Sequence, residues 1–235
     1  MQIHRDIEQG TGDWFKIKHG KIGGTRAKGL YVDSETLTLD ILSERVEEFD
    51  EDDDDNYASE AMMYGIDLEP QARYELGKYL KLYFEEAGWI QSDIASMGIS
   101  PDGITKCETI QCEIKCPQRK KHVQNCLDPG VSKDYIHQCI HAFTVNNKLE
   151  TLYFASYRPQ NNIVPLSVRK LTRKSIVDVG FKKDGKVWED RGKGLKEYVD
   201  KSPDLRPIQE WVEFSKIEAL KIEADIRKYI EKLSF

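Results

Sequence analysis

The chain has 235 residues, 39% of them hydrophobic and 32% charged, with a formal net charge of −6. That length holds one domain, or one with a helical appendage, around a core of ordinary size. No apolar run is long enough to span a bilayer and the N-terminus lacks the apolar segment of a secretory signal, so a cytoplasmic protein without a membrane partner is expected.

Gln9 to Thr25 reads as a short helix, a glycine turn and the start of a second helix. Asp13 is placed to cap the first helix, Gly20 to end it, and Thr25 to cap the next, whose free amides favour an anion such as phosphate. An ordinary amphipathic helix with exposed lysines is the alternative. Residues 35–48 read as a helix with Leu37, Leu39, Ile41, Leu42 and Val46 among acids. From Glu47 to Asp55 there follow eight acids in nine residues. Such a run reads as a solvated loop; a DNA mimic that blocks a groove, or a partner-binding tag, is the other reading. Setting those eight acids aside turns the net charge of −6 into about +2, so the acidic total does not exclude a DNA substrate.

Residues 56–88 read as a long helical stretch, with Pro70 in the first turn of a new helix, where a missing amide donor does little harm. On their own, Glu69 and Arg73 are a routine exposed pair four residues apart. Trp89 to Ser96 supplies a first strand. Met97 to Pro117 then reads as two strands and a turn, with the turn chemistry in Ser100-Pro101-Asp102-Gly103. Along the second strand the side chains alternate, placing Glu113 and Lys115 on one face and Ile110, Cys112 and Ile114 on the other.

An isolated Glu-X-Lys in a strand is usually a solvated salt bridge. The Pro-Asp turn upstream changes that balance. If Asp102 reaches the same face, two carboxylates and one ammonium surround a small volume, and a hard divalent cation with oxygen ligands, Mg²⁺ or Mn²⁺, suits such a group. The five cysteines, Cys107, Cys112, Cys116, Cys126 and Cys139, are odd in number and lack a Cys-X-X-Cys pair. They read as reduced thiols packed as small hydrophobes rather than as disulfides or cluster ligands.

Arg119, Lys120, Lys121 and His122 form a basic cluster suited to a polyanion. Ser132 to Asn147 has helical spacing at Tyr135, Ile136, Cys139, Ile140 and Phe143, with Gln138 and His141 near the edge of the stripe. Residues 152–157 and 163–168 read as paired strands. Beyond Thr172 the chain is mostly polar and helical and closes with a long amphipathic helix from about Pro207 to Leu233.

Pro101-Asp102 followed by Glu113-Ile114-Lys115 resembles the PD-(D/E)XK nuclease signature. Ser100-Pro101-Asp102-Gly103 and Glu113-Ile114-Lys115-Cys116-Pro117 narrow the resemblance to the lambda exonuclease and YqaJ-type viral recombinase branch. Three further segments match that branch in order: residues 9–25 resemble its Gly-X-X-X-Trp-X-X-X-Arg-X-Gly-X-Ile-Thr-Ala-Ser motif, residues 65–73 its Gly-X-X-X-Glu-X-X-Ala-Arg pattern, and Tyr135-X-X-Gln138 its helical glutamine.

The resemblance implies an α/β (α+β) fold: a restriction-endonuclease-like mixed sheet flanked by helices, with a C-terminal helical extension. It implies a single nuclease domain over 1–235, with N-terminal helices at 9–30, an acidic loop at 47–55, a catalytic core at 56–171 and the extension at 172–235. The activity implied is Mg²⁺-dependent, 5′-to-3′ exonuclease action on linear double-stranded DNA, leaving a 3′ single strand for annealing. Asp102, Glu113, Glu69 and the Ile114 carbonyl would bind two Mg²⁺ ions, with Mn²⁺ as a substitute. Lys115 would orient the nucleophile or stabilise the transition state, and Gln138 would support the ligands. Lys18 and Thr25 stand at the positions that hold the DNA 5′-phosphate, lysine keeping the charge of the family's arginine but losing its bidentate fork. Relatives also form ring-shaped trimers and act with a single-strand annealing protein, in a host cytoplasm where the gene is viral. The rivals are an endonuclease or single-strand nuclease of the same fold, and a non-catalytic DNA-end or protein-binding module.

Overall fold

The computed structural model describes residues 1–50, 60–159, 163–180, 188–190, 196–198 and 204–233. From residue 51 onward the acidic run lies outside the described residues. The chain opens with β1 (Gln2–His4), α1 (Gly12–Lys18), α2 (Gly29–Val32) and α3 (Ser34–Val46), followed by α4 (Glu60–Leu80). Next come β2 (Trp89–Gln91), β3 (Gly98–Ile99), β4 (Gly103–Ile104) and β5 (Ile110–Lys115). Two helices, α5 (Arg119–Leu127) and α6 (Ile136–Val145), lead to β6 (Thr151–Tyr157) and β7 (Leu166–Thr172). Short strands β8 (Ile176–Asp178), β9 (Trp188–Asp190), β10 (Lys196–Tyr198) and β11 (Leu205–Pro207) precede the long α7 (Ile208–Leu233).

The central sheet has the order β4-β5-β6-β7 and is mixed. β5 and β6 run parallel with Glu113 opposite Phe154, whereas β4 and β7 are antiparallel to their neighbours. A parallel pair needs a crossover, and α5 and α6 supply it. Helix α4 covers one face of this sheet, its Ala72 and Leu76 packing with Cys112, Ile114, Ala155 and Tyr157. On the other face, Leu152 and Phe154 join a larger core made by Ile140 and Phe143 of α6, Ile41 of α3 and Trp211 and Ile222 of α7. Ile140 and Phe143 are fully buried, and each such burial stabilises the fold by about 2 kcal/mol. The arrangement is the expected mixed sheet between helices with a long C-terminal helix.

Several local expectations are corrected. Pro70 does not start a helix but lies inside α4. A proline there removes the bond to the carbonyl four residues earlier, but Ile66 is exposed, so water can satisfy that carbonyl while Ala72 and Leu76 hold the helix to the sheet. Helix α4 also stops at Leu80 rather than continuing to Gly88, because Lys81 turns left-handed (φ +57°) and Leu82 N–H bonds the Gly77 carbonyl at 2.9 Å. Residues 172–207, expected to be mostly helical, contain β8 paired with β11 and β9 paired with β10. The Met97–Pro117 block holds three short strands rather than two. Asp13 lies within the first turn of α1, whose N-cap is Thr11. Gly20 does follow that helix in the left-handed region, with φ +64°.

His141 ties these layers together. Its Nε2–H is shared between the Gly98 carbonyl (2.9 Å) and the Ile22 carbonyl (3.1 Å), while Nδ1 has no partner. Burial lowers its pKa to about 4. The unfolded chain therefore takes up a proton near the ordinary value of about 6.5 that the folded protein refuses until about 4. The folded state is unaffected by this group above pH 6.5 and loses stability as pH falls from 6.5 to 4, by about 3 kcal/mol at the limit. Urea denaturation at pH 7 and pH 5 is expected to show a smaller acid loss for His141→Gln than for the unmodified protein. Equal losses would remove His141 as the source.

Candidate active site

The Pro101-Asp102 turn is held from below by the N-terminal segment. Trp14 Nε1–H donates to Ser100 Oγ at 2.7 Å and to the Gly88 carbonyl at 3.0 Å, and Ser100 Oγ donates to the same carbonyl at 2.7 Å. Gln9 Nε2 donates to the Pro101 carbonyl at 3.1 Å. Just past the turn, a Cβ on Gly103 would lie 2.8 Å from Cys112 Sγ and 3.0 Å from Phe84 Cβ, so only glycine lets β4 lie this close to β5. Where β4 begins, the Asp102 side chain takes over from its backbone: Oδ2 accepts the Ile114 N–H at 2.5 Å.

Glu113 and Lys115 occupy one face of β5, as the alternation predicts, with Lys115 Nζ 2.5 Å from Glu113 Oε1. Glu113 is buried. Glu69, on α4, accepts a bond from Arg73 Nη2 at 3.0 Å, and the other guanidinium nitrogen pairs with Glu86. The three acids feel one another. Burial, then the Glu113 charge, push Asp102 well above the usual carboxylate range, and Glu69 adds to the push. Burial also raises Glu69, against the pull of Arg73 and Lys115. Burial lowers the Lys115 pKa, but Glu113 and Asp102 outweigh it and hold the value above that of an ordinary lysine. The ammonium therefore stays charged at neutral pH.

Among the described residues, no group of three His, Cys, Asp or Glu side chains converges as a formed metal cage. Glu113 is turned onto Lys115 and Glu69 onto Arg73, leaving Asp102 on a backbone amide. In chemistry the set fits a hard divalent cation: three carboxylates, two of them raised by burial and mutual repulsion, are all oxygen donors.

Lys18 and Thr25 line a common cleft of about 250 Å³ with Lys21, Arg26 and Glu44. Lys18 Nζ sits 3.3 Å from the centre of the Trp14 ring. Burial, then the neighbouring Arg26, lower its pKa to about 8. Thr25 caps no helix. It lies in successive tight turns, Arg26 N–H to the Gly23 carbonyl and Ala27 N–H to the Gly24 carbonyl, before α2 begins behind Lys28. Arg26 was missed by sequence reasoning, although its place directly after Thr25 is a usable signal. It bonds Glu44 through both guanidinium nitrogens, and Glu44 also accepts the Gly20 N–H at 2.7 Å.

Gln138 packs against the Gly24 turn, 3.5 Å from where a Gly24 Cβ would stand, and makes no hydrogen bond to Glu69, Asp102 or Glu113. The basic cluster is only partly a surface feature. Arg119 and Lys120 are exposed and Lys121 pairs with Asp134, but His122 is fully buried between Ser156 Oγ and the Val164 carbonyl. All five cysteines are free; Cys112 and Cys139 pack in the interior, whereas Cys107 is exposed and falls outside the packing account.

The repulsion around Asp102 has a measurable consequence. In EDTA, Asp102→Asn keeps an oxygen acceptor for the Ile114 N–H but removes a disfavoured charge, so urea denaturation at pH 7 is expected to show a gain of about 1–2 kcal/mol. A loss of stability would mean that the charge-assisted bond outweighs the repulsion.

Comparison with known proteins places this geometry. No curated protein matches the chain. The alkaline exonuclease LHK-Exo of Laribacter hongkongensis has a similar fold, with a TM-score of 0.68 and 19% sequence identity over 95% of this chain and 96% of that one. Its structure in complex with dAMP aligns at a TM-score of 0.66 and 19% identity, covering 95% of this chain and 100% of that one. The family described as the YqaJ-like viral recombinase domain matches residues 13–149. That span is more than half of the chain and contains Trp14, Glu69, Asp102, Glu113, Lys115 and Gln138, so this protein belongs to the YqaJ-like viral recombinase family.

Proposed function

We propose that the chain is a metal-dependent deoxyribonuclease that removes nucleotides in the 5′-to-3′ direction from the ends of linear double-stranded DNA, leaving 3′ single strands for annealing. The observation that carries this reading is the Asp102 carboxylate bonded to the Ile114 amide beside the Glu113–Lys115 pair, which gathers acids and a protonated ammonium at one end of a buried strand. Family membership supports it, as does the fold shared with a protein described as an alkaline exonuclease.

Asp102, Glu113, Glu69 and the Ile114 carbonyl would hold two Mg²⁺ ions, or Mn²⁺ in their place, which when bound supply Lewis-acid activation of water and neutralise charge on phosphate. Lys115, beside Glu113, orients the nucleophile or stabilises negative charge on the scissile phosphate. Arg73 holds Glu69 in place. Gln138 buttresses the Gly24 turn beside the cleft where Lys18, Thr25 and Arg26 take the 5′-phosphate. The resemblance adds a trimeric ring around DNA and a single-strand annealing partner; light scattering with and without duplex tests the first.

A linear duplex labelled separately at its 5′ and 3′ ends and digested with Mg²⁺ is expected to lose the 5′ label first, as mononucleotides. Lys115→Ala should slow this by about a hundredfold or more while leaving the fold intact. Cutting of a closed circle would replace the exonuclease reading with an endonuclease, and no cutting of any DNA would leave a binding module.

Glu44 occupies part of the phosphate cleft as a built-in anion, taking the Arg26 fork and the Gly20 amide. Glu44→Gln is therefore expected to raise the preference for 5′-phosphorylated over 5′-hydroxyl ends by about fivefold, the size of one partly exposed ion pair. An unchanged ratio of initial rates would show that Glu44 does not compete with the phosphate.

A further inference from the structure

A second cleft, of about 500 Å³, opens where α4 ends and is lined by Pro70, Arg73, Tyr74, Lys78, Lys81 and Tyr83 among others. Its two tyrosines are strongly exposed, Tyr74 at 68% and Tyr83 at 79%. Aromatic side chains left this open, side by side with cations, have a face free for a ligand. The charged lining consists of Arg73, Lys78, Lys81 and Glu86; Arg73 is paired with Glu69 and Glu86, and Lys78 lies 4.0 Å from Glu75. Helix α4 closes with the Leu82 N–H on the Gly77 carbonyl, and Lys81 takes the left-handed position (φ +57°) that such an ending normally gives to glycine. A lysine there strains the backbone and places an ammonium on the cleft wall, a combination that points to use of the charge.

The cleft adjoins the catalytic acids. Arg73 lines it, bonds Glu69 at 3.0 Å, and has its Cδ 3.3 Å from where a Cβ on Gly103 would stand, next to Asp102. We propose that this cleft binds single-stranded DNA beside the active site, with unpaired bases stacked on Tyr74 and Tyr83 and phosphates on Lys78 and Lys81. The occupant follows from the chemistry: bases in a duplex present no free face to a tyrosine, a cleft of this size admits single nucleotides of a strand and not a double helix, and the Lys78 and Lys81 ammoniums beside the rings match a phosphodiester chain. The proposal rests on the nuclease reading, because a 5′-to-3′ exonuclease produces a single strand at this place.

The test measures anisotropy of a labelled oligo-dT in EDTA, so that cutting plays no part. The Tyr74→Ala/Tyr83→Ala double variant, with its fold checked by circular dichroism, is expected to bind about tenfold more weakly. Lys81→Gly should bind several-fold more weakly although its melting temperature rises, a pairing that a merely structural lysine would not give. Binding of oligo-dT within twofold of the unmodified protein in the folded double variant would overturn the proposal. So would dAMP competing as tightly as the oligonucleotide, since the cleft would then be a mononucleotide pocket. Failure of the nuclease reading is seen separately, as absence of Lys115-dependent digestion with oligo-dT binding intact.

Discussion

The bond from the Ile114 amide to the Asp102 carboxylate is the constraint on which the rest of the structure turns. Strand β4 contributes only two residues, Gly103 and Ile104, to the edge of the central sheet, and beyond them β5 would present an unpaired amide. Burying that donor without a partner is unfavourable. The aspartate supplies the missing acceptor from a side chain, so the act that completes the sheet also carries a carboxylate to Glu113 and Lys115. Structure and chemistry share one oxygen atom, and the repulsion that raises Asp102 is sustained by the close packing of Gly103 on Cys112 and Phe84.

The same turn links the two clefts that flank it. Trp14 bonds Ser100 with its indole nitrogen and carries the Lys18 ammonium on its ring, so a single side chain connects the Lys18 cleft to the turn at residues 100–102. On the far side Arg73 spans Glu69 and Glu86, coupling the acids to the tyrosine-lined cleft. Contacts of this kind fix the separation between the Lys18 cleft, the acids and the tyrosine-lined cleft, and positioning of that sort is what the function proposed above requires.

Much of the centre was legible because it lies in one short segment with a strict period. The alternation along residues 109–116 put Glu113 and Lys115 on a common face, while Asp102 could be joined to them only as a condition and through the family resemblance; β6 and the long α7 carried equally plain apolar patterns. What could not be read depended on partners distant in sequence. His122 looked like part of a basic cluster, but Ser156 and Val164 draw it into the core. Pro70 looked like a helix start, and only the sheet beneath α4 lets the helix run through it. Thr25 looked like the cap of the next helix, yet Gly23 and Gly24 accept bonds from Arg26 and Ala27 in successive tight turns instead. The pairing of Arg26 with Glu44 spans a helix and a loop and leaves no local pattern.

Helix α7 has a consequence for how the molecule comes into being. It fills the core around α6 with Trp211, Val212, Ala219, Ile222 and Ile226, and Arg45 of α3 reaches across to its Glu223. Glu69, Asp102 and Glu113, and the whole span that matches the family, precede it by many residues. During synthesis the acids leave the ribosome while the apolar face meant for α7 is still open to water. Until α7 is made, the apolar face around α6 and α3 stays uncovered, so the core behind the central sheet is completed only with residues 208–226.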